Sequence, residues 1–122
     1  MGIDIDIIPY IEQHGIAIAP FGTLNVGRRY LRDLIDRIPS HARGPTPKTF
    51  FLAFKPGEPP NVCSNEDMYG GEMRSVPLRN FVGYLWKNIE WVKADKETNL
   101  FKYLFHIEEE WPHQCRAAFF WW

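Results

Sequence analysis

The chain is poor in the features that usually announce a chemistry. Two cysteines, Cys63 and Cys115, are too few for a disulfide-stapled scaffold. Neither Cys-x-x-Cys nor His-Glu-x-x-His occurs, so no standard zinc spacing is present, and the Gly-Lys-Ser/Thr ending of a phosphate-binding loop is missing too. No window approaches the ~18 consecutive apolar residues of a membrane span. A formal net charge of −1 gives no bulk attraction for nucleic acid or an anionic membrane. Acids at Asp4 and Asp6 stand where a secretory leader carries bases. The expectation is a cytoplasmic chain with no membrane partner and no cofactor. Internal repeats, heptads and low-complexity tracts are absent as well.

What the chain has is aromatic side chains. They make up 16% of the 122 residues, and four close the sequence as Phe119-Phe120-Trp121-Trp122. Each such ring buries roughly 150–250 Å², so the rest of the chain or a partner must cover them. The length fits one domain over residues 1–122, able to bury somewhat under ~70% of its unfolded surface without disulfides or metals.

Periodicity supplies the elements. Ile3-Asp4-Ile5-Asp6-Ile7 alternates strictly, a half-buried strand with its acids on the solvated face. Pro9 to Gly15 has the proline-first, glycine-last form of a short helical turn, and Ile16 to Ala19 reads as a strand stopped by Pro20. Val26, Tyr30, Leu31, Leu34, Ile35 and Ile38 make an amphipathic helix, capped by Thr23 or Asn25 and ended by Pro39. Thr49 to Lys55 is a short apolar run, the form of a strand buried on both faces. Pro56 to Glu72 lacks periodicity and reads as a long loop. Leu78, Phe81, Val82, Leu85, Trp86 and Ile89 stripe a second helix, with Asn88 as its stop.

From Ile89 onward the pattern is read as a three-strand meander. Phe101, Tyr103, Phe105 and Ile107 alternate with more polar neighbours, and a helix there would put Glu108, Glu109 and Glu110 at the unfavourable end of the dipole. Cys115 to Trp122 is the last strand, with Ala117, Phe119 and Trp121 on one face and Ala118, Phe120 and Trp122 on the other. The expected architecture is α+β: a mixed or antiparallel sheet of about five or six strands, two main amphipathic helices packed on it, and a C-terminal strand meander.

Charge is blocked along the chain. Residues 1–20 carry −3, residues 21–55 carry +5, residues 56–73 carry −4 and residues 74–122 carry +1. The acidic block holds Glu58, Glu66, Asp67 and Glu72 around Met68, Tyr69 and the flexible Gly70-Gly71. Met and Tyr favour interface cores and charge favours their rims, so this loop is the candidate partner-binding surface; its plain alternative is a solvated loop. The basic block, Arg28, Arg29, Arg32, Arg43 and Lys48, is the candidate nucleic-acid surface. Its plain alternative is a helix face laced by i,i+4 pairs such as Asp33–Arg37. His106, Glu108, His113 and Cys115 are of metal-ligating type but lack a ligand spacing, so a polar strand end competes with a metal site.

No catalytic constellation stands out, and no catalytic residue is assigned. The functional expectation is a non-enzymatic protein-binding module of inhibitor or immunity-protein type, whose acidic loop masks a basic functional surface of another protein. A nucleic-acid-binding module on the Arg28–Lys48 segment is the alternative, and a small metal-dependent hydrolase the third. Homodimerisation through the edge of the C-terminal strand is a further expectation, because a strand apolar on both faces needs cover on both.

Overall fold

The strand that begins with the Ile/Asp alternation organises the sheet. The computed structural model describes residues 4–26, 29–52, 59 and 61–121, and only the backbone of Arg29. In it β1 runs from Ile5 to Gln13. Its odd-numbered residues, Ile5, Ile7 and Ile11, face one core, and Ile8 and Tyr10 face another. The helical turn expected at Pro9–Gly15 is not formed. The strand continues to Gln13 and turns through His14 and Gly15, both at positive φ (54° and 77°), which is hairpin rather than helix-end geometry. Pro9 is tolerated in the strand because its second edge is unpaired there. That edge carries β3 (Leu24–Val26) opposite Ile5 to Ile7 and β2 (Ile16–Ala19) opposite Ile11 to Gln13.

The remaining strands are β4 (Gly44–Pro45), β5 (Thr49–Leu52), β6 (Asn61–Ser64), β7 (Arg74–Pro77) and β8 (Cys115–Trp121). Their order is β4-β7-β8-β1-β2-β5-β6, with β3 also on β1. Among the described residues only the β2–β5 pair is parallel. The sheet is therefore mixed, with eight strands among the described residues rather than five or six. The 56–72 stretch is not one continuous loop, since β6 lies within it.

Among the described residues four α-helices are interleaved with these strands: α1 (Arg29–Asp36), α2 (Leu78–Lys87), α3 (Ile89–Ala94) and α4 (Thr98–Glu110). The C-terminal meander is thus corrected: of its three strands only β8 exists among the described residues, and residues 89–94 and 98–110 are helical. The reason lies in burial. Leu100, Leu104 and Ile107 repeat at helical spacing and all three are buried, whereas the alternating set of the strand reading leaves Phe105 and Tyr103 exposed. Tertiary burial of that stripe outweighs the dipole penalty of the terminal glutamates.

All four helices contribute to one core. Leu31, Leu34 and Ile35 of α1, Leu78, Phe81 and Leu85 of α2, Val92 of α3 and Leu104 of α4 join Ile5, Ile7, Ala117 and Phe119 from the strands. Phe81 and Phe119 meet edge to face at 5.2 Å. The cap of α1 comes from far along the chain: Asp95 Oδ2 accepts the Leu31 N–H at 2.7 Å. Thr23 and Asn25 are not needed for this, and Asn25 Nδ2 instead donates to Asp6 at 2.9 Å.

The opposite face carries a second cluster, without helix residues, of Ile8, Tyr10, Phe50, Met73 and Ala118. The sheet covers it by curling. Asn65, just past β6 at one end of the strand order, accepts the Met73 N–H at 2.6 Å, just before β7 near the other end. Asn65 also donates its N–H to Lys48 O at 3.0 Å and its side-chain amide to Thr46 Oγ1 at 3.2 Å. These bonds satisfy buried polar groups and staple the two ends without closing the sheet into a barrel.

Candidate functional site

Two of the places where large apolar side chains stand exposed are positioned differently by the fold. The first is the turn between β6 and β7. Glu66 and Glu72 form an isolated antiparallel bridge at its base. Asp67 then organises the tip. Its N–H donates to Gly71 O at 2.8 Å, and its Oδ1 accepts the N–H groups of Tyr69 at 2.9 Å and Gly71 at 3.1 Å. Such self-bonding is what Asp does well in turns. Gly70, at φ 79°, supplies the left-handed residue the turn requires. Met68 N–H bonds Trp121 O at 3.2 Å and so ties the tip to β8. The result is an ordered turn that leaves Met68 70% and Tyr69 68% exposed.

Sequence reasoning assigned Asp67 to a partner. The structure occupies one of its carboxylate oxygens inside the turn, so Asp67 shapes the surface. Glu66 and Glu72 remain exposed beside Met68 and Tyr69. Glu58 lies outside the described residues.

The second place is the groove between α2 and α4. The helices run antiparallel, so Trp86 at the end of α2 stacks on Phe101 at the start of α4, with centroids 6.0 Å apart. Phe105 lies 6.2 Å beyond Phe101. At the other end Arg79 donates to the imidazole of His113, whose backbone N–H donates to Glu108 Oε2 at 2.9 Å. The groove between these ends has a volume of about 760 Å³. Trp86 is 63% exposed and Phe105 45%. Trp86 was expected on the buried stripe of α2, but Leu78, Phe81, Val82 and Leu85 already fill it. The signal available in the sequence was the i,i+4 pair Phe101 and Phe105, which the alternating reading assigned to one strand face.

The metal-type residues do not converge. Glu108 and His113 are joined through the His113 backbone, while His106 pairs with Glu110 at 3.0 Å. Cys115 is buried at the start of β8. Burial pushes its thiol up to about 11, and the charge of Glu108 acts in the same direction. Among the described residues no group of three or more His, Cys, Asp or Glu side chains is placed to hold a metal ion.

The basic block is dispersed as well. Arg43 donates to the carbonyls of Ile35 at 2.8 Å, Asp36 at 3.2 Å and Ile38 at 3.2 Å, so its guanidinium closes the C-terminal end of α1. Arg37 lies over the Trp91 ring at 4.7 Å. Arg32 is half-buried and engaged within the protein, and Lys48 is exposed. Arg29 opens α1, and Arg28 lies outside the described residues.

The expected dimer edge is occupied. β8 pairs with β1 along Cys115–Trp121 and with β7 over Arg116–Phe119, so both of its edges are used through that stretch. No helix among the described residues is long and apolar enough to cross a membrane. Comparisons with protein-family models, with curated proteins and with solved structures return no match for this chain.

Proposed function

We propose that this chain is a non-enzymatic, cytoplasmic protein-binding module of inhibitor or immunity-protein type, which masks a basic functional surface of a partner with its 66–72 turn. One observation carries the reading: Met68 and Tyr69 stand exposed on a turn whose backbone is already held by hydrogen bonds. A preorganised loop gives up less conformational freedom on binding than a mobile one. Tyr and Met are favoured at interface cores, and the exposed Glu66 and Glu72 beside them supply an acidic rim that steers a basic partner.

The test is affinity capture from host lysate, quantified by mass spectrometry against two double variants. The partner retained by the unchanged chain should be lost with Met68→Ala/Tyr69→Ala. It should be reduced, most strongly at low salt, with Glu66→Lys/Glu72→Lys. Equal retention by all three proteins removes the turn from the interface.

A further inference from the structure

The curled sheet ends in a strand whose outer edge has no ladder. β6 is last in the strand order and, among the described residues, pairs only with β5. All of its residues are exposed, Val62 to 64%, so neither of its faces is packed upon. The direction of its backbone groups follows from its end. The Asn65 N–H donates to Lys48 O, on the β5 side, at 3.0 Å. Backbone groups of successive strand residues alternate in direction, so Asn61 and Cys63 turn their N–H and C=O groups towards β5. Val62 and Ser64 turn theirs outward, where no strand meets them. The opposite end of the sheet offers less: β4 is two residues long and contains Pro45.

Edge strands are commonly kept apart by a charged side chain, a proline or a bulge. Residues 61–64, Asn-Val-Cys-Ser, hold no charge and no proline. Their outward groups are also self-complementary about Cys63. Laid antiparallel beside a copy of itself with Cys63 opposite Cys63, β6 sets Val62 against the copy's Ser64 and Ser64 against the copy's Val62. Every outward N–H then finds an outward C=O. The neighbouring registers do worse. A shift of two residues one way calls on Pro60, which has no N–H. A shift the other way calls on Glu66, already bridged to Glu72 and with its N–H on Ser64 Oγ at 3.4 Å. In the favoured register Glu66 lies beyond the copy's Asn61, away from the copy's Glu66, so no like charges face each other.

We propose that β6 pairs antiparallel with β6 of a second copy of this chain, about a two-fold axis through Cys63. The self-pairing edge is therefore β6, not the β8 edge that β1 and β7 occupy. Cys63 and its counterpart form a non-hydrogen-bonded pair, with Cα atoms ~4.5 Å apart and both side chains on one face. That separation lies within the ~4.4–6.8 Å range of disulfides, so Cys63 reports the register. A contact of one short strand is small, so the dimer is weak and forms at high concentration. It uses neither Met68 nor Tyr69 and does not depend on the masking role of the turn.

Sedimentation equilibrium of the full chain, from micromolar to millimolar concentration, should show a monomer–dimer equilibrium. Over the same range the Val62 and Ser64 amides should gain protection from hydrogen exchange. Those of Asn61 and Cys63, already bonded to β5, should change little. Oxidised glutathione then traps the dimer. Its S–S bond breaks, a bond forms between the paired Cys63 sulfurs, and the electrons and protons of both thiols leave as reduced glutathione. Val62→Lys/Ser64→Lys sets like charges directly opposite in this register, and Val62→Lys/Ser64→Glu sets opposite ones. Trapping should fall about fivefold for the first and be kept by the second, with circular dichroism unchanged in both. A monomer at every concentration, a dimer without protection at Val62 and Ser64, or equal trapping of the two double variants overturns the proposal. The exchange is read on the unchanged chain, so it decides even where a double variant misfolds. Met68→Ala/Tyr69→Ala should dimerise as the unchanged chain does, so failure of this pairing and failure of the turn reading are separable.

Discussion

The 66–72 turn and the α2/α4 groove both expose large apolar side chains, yet they use their polar atoms in opposite ways. In the turn, Asp67 satisfies the N–H groups of Tyr69 and Gly71 within the loop. Met68 and Tyr69 are therefore displayed by a backbone that needs nothing further. In the groove, the helices satisfy their own backbones and the side chains are left to make the surface. One carboxylate oxygen, Oε1 of Glu108, is buried with no donor among the described residues. The turn satisfies its polar atoms from within, whereas the groove wall keeps one carboxylate oxygen out of water at a desolvation cost.

The largest expected effect tests whether the two regions share a foundation. Phe119 packs on Phe81 of α2, and Trp121 O holds the Met68 N–H. Deleting residues 119–122 removes both anchors. Losing a buried Phe side chain alone costs about 3–5 kcal/mol, against a total stability of about 5–15 kcal/mol for a domain. The truncated chain should show no cooperative thermal transition by circular dichroism. A retained transition would mean that turn and groove are held independently of β8.

Next in size is Asp67→Ala, which should loosen the turn and spare the groove. Two N–H groups lose their acceptor, at a cost of about 1–2 kcal/mol, because solvent can replace part of each bond at this exposed site. Hydrogen exchange at Tyr69 and Gly71 should accelerate while the α2 and α4 amides keep their protection. Faster exchange in the helices would show that the two regions are coupled.

The two thiols report on the same contrast. Cys63, in the edge strand leading to the turn, is exposed; Cys115, near Glu108, is buried. A thiol reagent should label one cysteine in the native chain and two after denaturation. Because the native Cys115 thiol is held up to about 11, above its unfolded value of 9.0, the folded state keeps a proton that the unfolded state releases. Its contribution is fully present below pH ~9 and is lost as pH rises towards 11. Tyr10 and Tyr84, both raised chiefly by burial, extend the loss to higher pH. Urea midpoints for Cys115→Ala should fall less steeply across this range than those of the unchanged chain. A parallel fall would remove Cys115 from the alkaline response.

The smallest effect is a gain. Gly83 lies inside α2 and an added Cβ meets nothing, so Gly83→Ala should stabilise the chain by up to about 1 kcal/mol, read as a rise in the urea midpoint. A loss of stability would mean the groove wall is more tightly packed than its geometry indicates.

Legibility in the sequence followed how local each decision was. The split of the final strand into two faces held: Ala117 and Phe119 lie in the helix-side core, and Ala118 lies in the other with Phe120 packed against it. The stripe of α2 was readable at Leu78, Phe81, Val82 and Leu85, while Trp86, adjacent in sequence, falls on the exposed side. The 98–110 segment carried both an alternating and a helical pattern, and the packing of Leu100, Leu104 and Ile107 selected the helix. Met68 and Tyr69 were recognisable as exposed. That Asp67 holds the turn while Glu66 and Glu72 flank it was not, because turn geometry and strand register decide which of several neighbouring carboxylates faces inward.

By itself, then, the sequence determined an α+β chain whose closing aromatic stretch runs as a strand to Trp121, with two amphipathic helices and an acidic turn. Those features depend on periods of two and 3.6 residues and on local turn chemistry. Only the tertiary structure decided that Asp95 caps α1 from 64 residues away, that Arg43 closes the same helix, and that Asn65 staples the curled sheet. It also decided that Trp86, Phe101 and Phe105 line one groove. Each of these depends on which distant groups the topology brings within hydrogen-bond or ring-contact distance, and no local pattern encodes that.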